Sequence, residues 1–382
     1  MKVVYILPIS WGGIPHYSAE LANAVAQYAE VYVLKPKDSN DHLFSNDVTV
    51  MNLFEPLILI KGQENKAFSL NNIKSLLSYN AIKTVLNIKP DIVHFPGIYV
   101  HASLFSKLYG LDKKFPIVQT KHSVADSYLK SPKNKGISRT ILWNINDTAK
   151  NFLIPNKFIV HTKENQKSLI NNGVSEENIS IVPHGAYTFF KAYLNDVKNI
   201  VQNKKEILYF GFIDRHKGLE YFIEAASIVS DKISDTKFTI AGEGDLNEIT
   251  GNIEYPQSLE VNNSFIPDEK VAELFQRASL IVLPYTYHQG LSGILAIAFA
   301  FGKPVIVTDV GDLKEYSNGC GLVVPPKDSK SLAEAIETML LDDDLRNKCA
   351  NNSYQRGLEL SWDNIAKMHL KIYDETIEKY QA

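Results

Sequence analysis

The chain has 382 residues, 45% hydrophobic and 22% charged, a composition that excludes disorder and suits two α/β domains of roughly 150 residues each better than one core. Its formal net charge is −3, divided as 20 Lys/Arg against 14 Asp/Glu in residues 1–190 and 20 against 29 in 191–382. With that balance and no basic aromatic groove, nucleic acid is not an expected partner. Cys320 and Cys349 make neither a disulfide framework nor a metal-binding pair, so a reducing, cytoplasmic setting is expected and no metal.

In chain order, Val3-Val4-Tyr5-Ile6-Leu7 is a continuous apolar run ended by Pro8 and the pair Gly12-Gly13. It reads as a parallel strand buried on both faces rather than a leader, since no small-residue cleavage site follows. Tyr17, Leu21, Ala24, Val25 and Tyr28 fall on one helical stripe, and Val31–Leu34 supplies a second strand. Later strands are "DIVHF", "IVQTKH", "FIVHT" and "ISIVPHG". The pattern restarts at "EILYFGFID", with a helix over Leu219–Val229, a strand at "KFTIAGEG", a helix over Asp268–Ala278 and a strand at "LIVLPY". A wholly apolar helix, Leu295–Phe301, then leads through Gly302-Lys303-Pro304 to "VIVTDVG". Two helices follow "CGLVVPP", and Ser361 reads as the cap of a last one carrying Trp362, Ile365, Met368, Ile372 and Tyr373.

Strand, turn and helix units repeated in two halves predict two doubly wound domains: 1–190, a polar hinge at 191–205, 206–360, and a final helix 361–382 crossing toward the first domain. Ligands of open α/β sheets bind beyond the carboxyl ends of the strands, so the loops there are the place to look.

Three such loops stand out. In "SWGGIPHY", Gly12 and Gly13 let the backbone approach a ligand at a helix N-terminus, although a plain tight turn explains them equally well. In "FGFIDRHKGL", Arg215 and Lys217 lie between a strand and a helix, where two cations and a helix N-terminus suit a diphosphate. In "HQGLSGI", Ser292 is placed to cap the apolar helix while Gly293 and Ile294 offer their amides to a phosphate. His122 ends a strand and is read as a neutral imidazole for a sugar hydroxyl, whereas His184 reads as structural. The stretch Lys130–Lys157 mixes six basic residues with Leu142, Trp143, Phe152 and Leu153. It is either a solvated face or a peripheral membrane contact through Lys130, Lys133, Lys135 and Arg139.

Taken in order, "SWGGIPHYSAELANAV", "PDIVHFPG", "TKHS", "IVPHGAY", "YFGFIDRHKGLEYFIEAA", "FTIAGEGD", "LFQRASLIVLPY", "SGILAIAFAFGKPVIVTDVGDLKE" and "LSWDNIA" resemble the blocks of retaining glycosyltransferase family 4. The resemblance implies a GT-B architecture: two Rossmann-like domains facing a cleft that closes around a nucleoside diphosphate sugar. It implies no metal or other cofactor, and a glycan, lipid-linked or small-molecule acceptor on the N-terminal side. By the same resemblance Gly13 covers the donor phosphates, His122 meets the donor sugar, and Arg215 and Lys217 hold the diphosphate beside Gly211. Backbone groups near Ile266 are expected to meet the base. Two glutamates usual in the family fall at Gln289 and Ile297, Phe212 stands where an arginine follows the glycine, and Ser123 replaces an acid after His122. Gln289 can still bond a sugar, but Ile297 can bond no ribose hydroxyl. An active transferase is favoured over a chain that has lost transfer and serves as a binding or scaffold subunit. A nicotinamide-dependent dehydrogenase is disfavoured by the absence of GxGxxG.

Overall fold

In the computed structural model, which describes residues 1–7, 9–10, 13–38, 41–56, 70–97, 100–124, 153–196, 205–251, 253–288 and 292–382, the first apolar run is β1 (Lys2–Ile6), with Val3 to Ile6 fully buried. A strand covered by helices on both faces needs that unbroken apolar character. The chain divides into two compact units, residues 1–183 with 362–382, and residues 184–361.

Unit 1 is built on β1, β2 (Glu30–Pro36), β3 (Val48–Phe54), β4 (Ile92–Phe95), β5 (Ile117–Lys121), β6 (Lys157–Val160) and β7 (Ile179–Ile181). They lie in the order β3-β2-β1-β4-β5-β6-β7 with every pairing parallel. The order reverses at β1, so the connections after β1 and β4 diverge at the carboxyl edge. The helix Gly13–Ala26 turns Tyr17, Leu21 and Val25 inward, but Tyr28 lies beyond its end and is 49% exposed. The last helix, Trp362–Gln381, belongs to this unit and packs along Gly13–Ala26. Its buried stripe is Ile365, Ala366, His369, Ile372, Tyr373 and Thr376. Met368, expected inside, is off that three-and-four spacing and exposed, and His369 occupies the inward position.

Unit 2 repeats the plan with β8 (Glu206–Phe210), β9 (Lys237–Ala241), β10 (Leu259–Asn262), β11 (Leu280–Leu283), β12 (Val305–Thr308) and β13 (Gly321–Val324), all parallel and ordered β10-β9-β8-β11-β12-β13. Here the reversal is at β8, between β9 and β11. The helices Ser329–Leu341 and Asp343–Glu359 start on aspartate caps: Asp328 accepts from the Lys330 and Ser331 amides, and Asp342 from the Leu345 amide. The division falls at His184, before the expected hinge, because Thr188–Asp196 is a 3₁₀ helix packed on the helix Asp268–Arg277 within unit 2. Residues 197–204 of that hinge, together with Gly12, Gln289, Lys130, Lys133, Lys135 and Arg139, lie outside the described residues. Among the described residues no helix is long and apolar enough to cross a membrane.

Candidate functional site

The reversal of strand order in unit 2 puts the carboxyl ends of β8 and β11 side by side, and the two loops leaving them are joined at the backbone. After β8 comes Gly211 at φ +112°, a value that favours glycine. A Cβ there would lie 2.8 Å from Ile294 Cδ1 and 3.4 Å from Lys217 Nζ, so the missing side chain is what lets both approach. A short 3₁₀ turn, Arg215–Lys217, follows. The His216 carbonyl accepts from the amide of Thr286, at 2.8 Å, which pins this turn to the loop after β11. Gly218 closes the turn at φ +65°, where a Cβ would be 1.9 Å from the Pro284 carbonyl oxygen.

Tyr285 follows β11 at 1% exposure. Lys217 Nζ donates to its hydroxyl at 3.2 Å and sits 4.9 Å from its ring centroid, a cation–π contact as well as a hydrogen bond. The same hydroxyl is 3.3 Å from Ser292 Oγ. Ser292 has the extended backbone of a helix N-cap, yet its side chain caps nothing. That corrects the capping role expected for it: the hydroxyl is drawn to Tyr285 instead. The helix Gly293–Ala300 makes its first backbone bond from the Leu295 amide to the Ser292 carbonyl. The Gly293 and Ile294 amides precede it at the positive end of the helix, where no intrahelical acceptor exists. Lys217, Tyr285, Ser292 and the start of this helix thus lie at the switch point of unit 2.

Other expected residues of this unit are placed differently. Arg215 is 72% exposed, with Nη2 and Nε each 3.0 Å from Glu248 Oε1. Its charge is committed to a neighbouring carboxylate, so Lys217 is the better-placed cation. Ile266 is buried in the loop beyond β10, beside the 70% exposed Phe265. That edge is two strand spacings, about 10 Å, from β8. Ile297 is 6% exposed on the apolar helix. His184 is buried, donates from Nδ1 to the Gly185 carbonyl at 2.7 Å and faces Tyr187 OH across 3.3 Å, a satisfied structural histidine.

In unit 1, Gly13 opens the first helix, and His122 follows β5. Nε2 of His122 lies 2.7 Å from the Pro96 carbonyl and Nδ1 lies 3.0 Å from His161 Nε2. Both ring nitrogens are engaged inside the unit, so the expected hydrogen bond to a sugar hydroxyl would have to displace one of these partners. His161 in turn places Nδ1 2.9 Å from the Val182 carbonyl. Tyr17 stands edge-on to His122, with centroids 4.6 Å apart. Beside them is a buried polar network: His94 bonds Tyr373 OH at 2.6 Å and Thr120 Oγ1 at 2.8 Å, and Tyr373 OH meets Tyr5 OH at 3.0 Å. His369 Nδ1 faces the Ile365 carbonyl at 2.8 Å. Burial pulls the His369 pKa down to about 4 and that of His94 well below the usual histidine value, so both rings are neutral near pH 7.

His94, His161, His369 and Tyr285 did not stand out in the sequence. For Tyr285 there was a signal: a tyrosine directly after the Pro that ends a central strand. For the histidines there was none, because each sits in an otherwise ordinary strand or helix. Among the described residues no group of three His, Cys, Asp or Glu is placed to hold a metal ion.

Comparison with known proteins agrees with this layout. Residues 11–188 match the family Glycosyltransferase Family 4, and residues 192–356 match Glycosyl transferases group 1. The chain belongs to these glycosyltransferases. It is 30% identical over 241 residues to the N,N'-diacetylbacillosaminyl-diphospho-undecaprenol alpha-1,3-N-acetylgalactosaminyltransferase of Campylobacter jejuni, covering 59% of this chain and 62% of that protein. Other curated relatives are matched over about half their length. Among solved structures, sucrose-phosphate synthase from Thermosynechococcus elongatus superposes with a TM-score of 0.71 at 20% identity, over 99% of this chain and 100% of that one. Anabaena HepE, solved in complex with UDP-glucose, gives 0.68 at 15% identity over 99% and 100%. The likeness to these structures is one of fold, the GT-B fold.

Proposed function

We propose that the chain is a retaining glycosyltransferase that moves a hexose from a nucleoside diphosphate sugar to a hydroxyl acceptor. The observation that carries this reading is the Lys217–Tyr285–Ser292 arrangement at the N-terminus of the helix Gly293–Ala300. Breaking the glycosidic bond builds negative charge on the departing diphosphate and positive charge at the anomeric carbon. A fixed ammonium and preoriented amide dipoles stabilise that leaving group directly, and they need no reorganisation during the step. This role calls for no metal.

Retention fits a front-face displacement in which the leaving phosphate oxygen takes the acceptor's proton while the new bond forms on the face the diphosphate leaves. The base is placed by backbone groups near Ile266. With Ile297 apolar and buried, the ribose hydroxyls are met by other groups. The similarity to a transferase whose name specifies a diphospho-undecaprenol saccharide makes a lipid-linked acceptor one candidate beside a free glycan or a small molecule. A scaffold without transfer is not favoured: such a chain has no need of an ammonium held through Tyr285 to the serine at a helix N-terminus.

The test is release of nucleoside diphosphate from a panel of UDP-, GDP- and ADP-sugars by the purified protein, without acceptor and with lipid-linked and soluble acceptors. Acceptor-dependent release from one donor supports the reading; no release from any donor by folded protein contradicts it.

A further inference from the structure

We infer that Tyr285 is the positioning residue of the anion site, and that it works by keeping Ser292 from capping its own helix. This rests on the donor-site reading above. The Lys217 ammonium has only donors, so the Tyr285 oxygen accepts from it at 3.2 Å. The 3.3 Å contact between Tyr285 and Ser292 Oγ can run in either direction. With the phenol as its donor, the serine's own hydroxyl hydrogen is left for an incoming anion.

The consequence for the helix is the less obvious part. Ser292 has φ −81° and ψ 121°, the extended conformation of an N-cap, directly before Gly293. A serine there normally turns its oxygen onto an amide of the first turn. Doing so would fill the site with the protein's own oxygen. Here the side chain makes no such bond, and the partner that competes for it is Tyr285, itself 1% exposed and therefore fixed. One phenol thus orients the cation and holds the buried serine away from the amides of its own helix.

Tyr285→Phe keeps the ring, its packing and the cation–π contact, and removes only the oxygen. Measured by calorimetry with UDP, GDP and ADP, the nucleotide that binds the wild type should bind this variant about tenfold more weakly, the worth of a hydrogen bond to a charged group. Thermal unfolding should be nearly unchanged. Ser292→Ala alone should weaken binding several-fold by loss of one hydroxyl. In the double variant the serine that would close over the amides is gone, so binding should be no weaker than in Tyr285→Phe alone and should recover part of the loss. Two losses that multiply, or wild-type affinity in Tyr285→Phe, would overturn the inference while leaving the donor site intact. If none of the three nucleotides binds the wild type, the donor-site reading falls and this inference with it.

Discussion

Nδ1 of His122 lies 3.0 Å from Nε2 of His161, and the opposite nitrogen of each ring faces a backbone carbonyl, that of Pro96 or Val182. Carbonyl oxygens only accept, so two neutral rings that both donate to their carbonyls would turn lone pairs toward each other, and the inner contact closes as a hydrogen bond when one ring turns its hydrogen inward instead. Burial pulls the His122 pKa down to about 4, so this ring is uncharged near pH 7. Nitrogen-15 NMR of the histidine rings at pH 7 should therefore show a neutral His122, and a cationic His122 signal at that pH would contradict the assignment.

Lys217 and Arg215, two positions apart, should respond unequally to removal. Lys217→Ala takes the ammonium from the anion site and should lower turnover by ~10²-fold or more, in the range of losing an oxyanion-stabilising group. Arg215 is held by Glu248 and largely exposed, so Arg215→Ala should cost turnover much less. Steady-state kinetics of the two variants compare them directly; an equal or larger loss for Arg215→Ala would show that the guanidinium leaves Glu248 when donor binds.

Acid should weaken unit 1 through its buried histidines. A histidine whose folded pKa is depressed binds its proton first in the unfolded chain, so its contribution is full above about pH 6.5 and lost on the way down to about 4. For His369 that amounts to on the order of 3 kcal/mol, and His94 acts in the same direction. Glu20, raised to about 7 by burial, opposes them by gaining protons in the folded state first as pH falls below that value. Two histidines outweigh one glutamate, so the urea midpoint should fall between pH 7 and pH 5. His369→Phe should show a smaller fall, and an unchanged one would remove His369 as a source.

Gly218→Ala should be costly for a steric reason. The residue has φ +65°, and its Cβ would overlap the Pro284 carbonyl oxygen at 1.9 Å, a backbone atom that no rotamer change can move aside. A loss of about 1–3 kcal/mol is expected from the backbone strain alone, read as a lowered thermal midpoint, with nucleotide affinity falling too because Lys217 is the preceding residue.

Much of this architecture is legible in the sequence, because parallel strands covered on both faces must be continuously apolar, as Val3–Ile6 and Leu280–Leu283 are. β10 was harder to see: it lies at the sheet edge and its residues alternate between half-buried and exposed. The glycine turns and Lys217 were visible because position after a strand restricts what such residues do. Side-chain direction was not. Whether Arg215 turns to a ligand or to Glu248, and whether Ser292 turns to its own helix or to Tyr285, depends on neighbours 33 and 7 residues away. The inward His369 in place of Met368 is a matter of helical phase, which a hydrophobic count misses when the buried residue is a histidine.

The central claim is that the switch point of unit 2 holds the diphosphate of a sugar donor. Its most direct test is calorimetric titration of the wild type and Lys217→Ala with UDP-, GDP- and ADP-sugars at one salt concentration. Binding of one base class to the wild type, weakened at least tenfold in Lys217→Ala while the variant's thermal midpoint is retained, is the predicted result. Binding of none, or equal affinity in the two proteins, would contradict it.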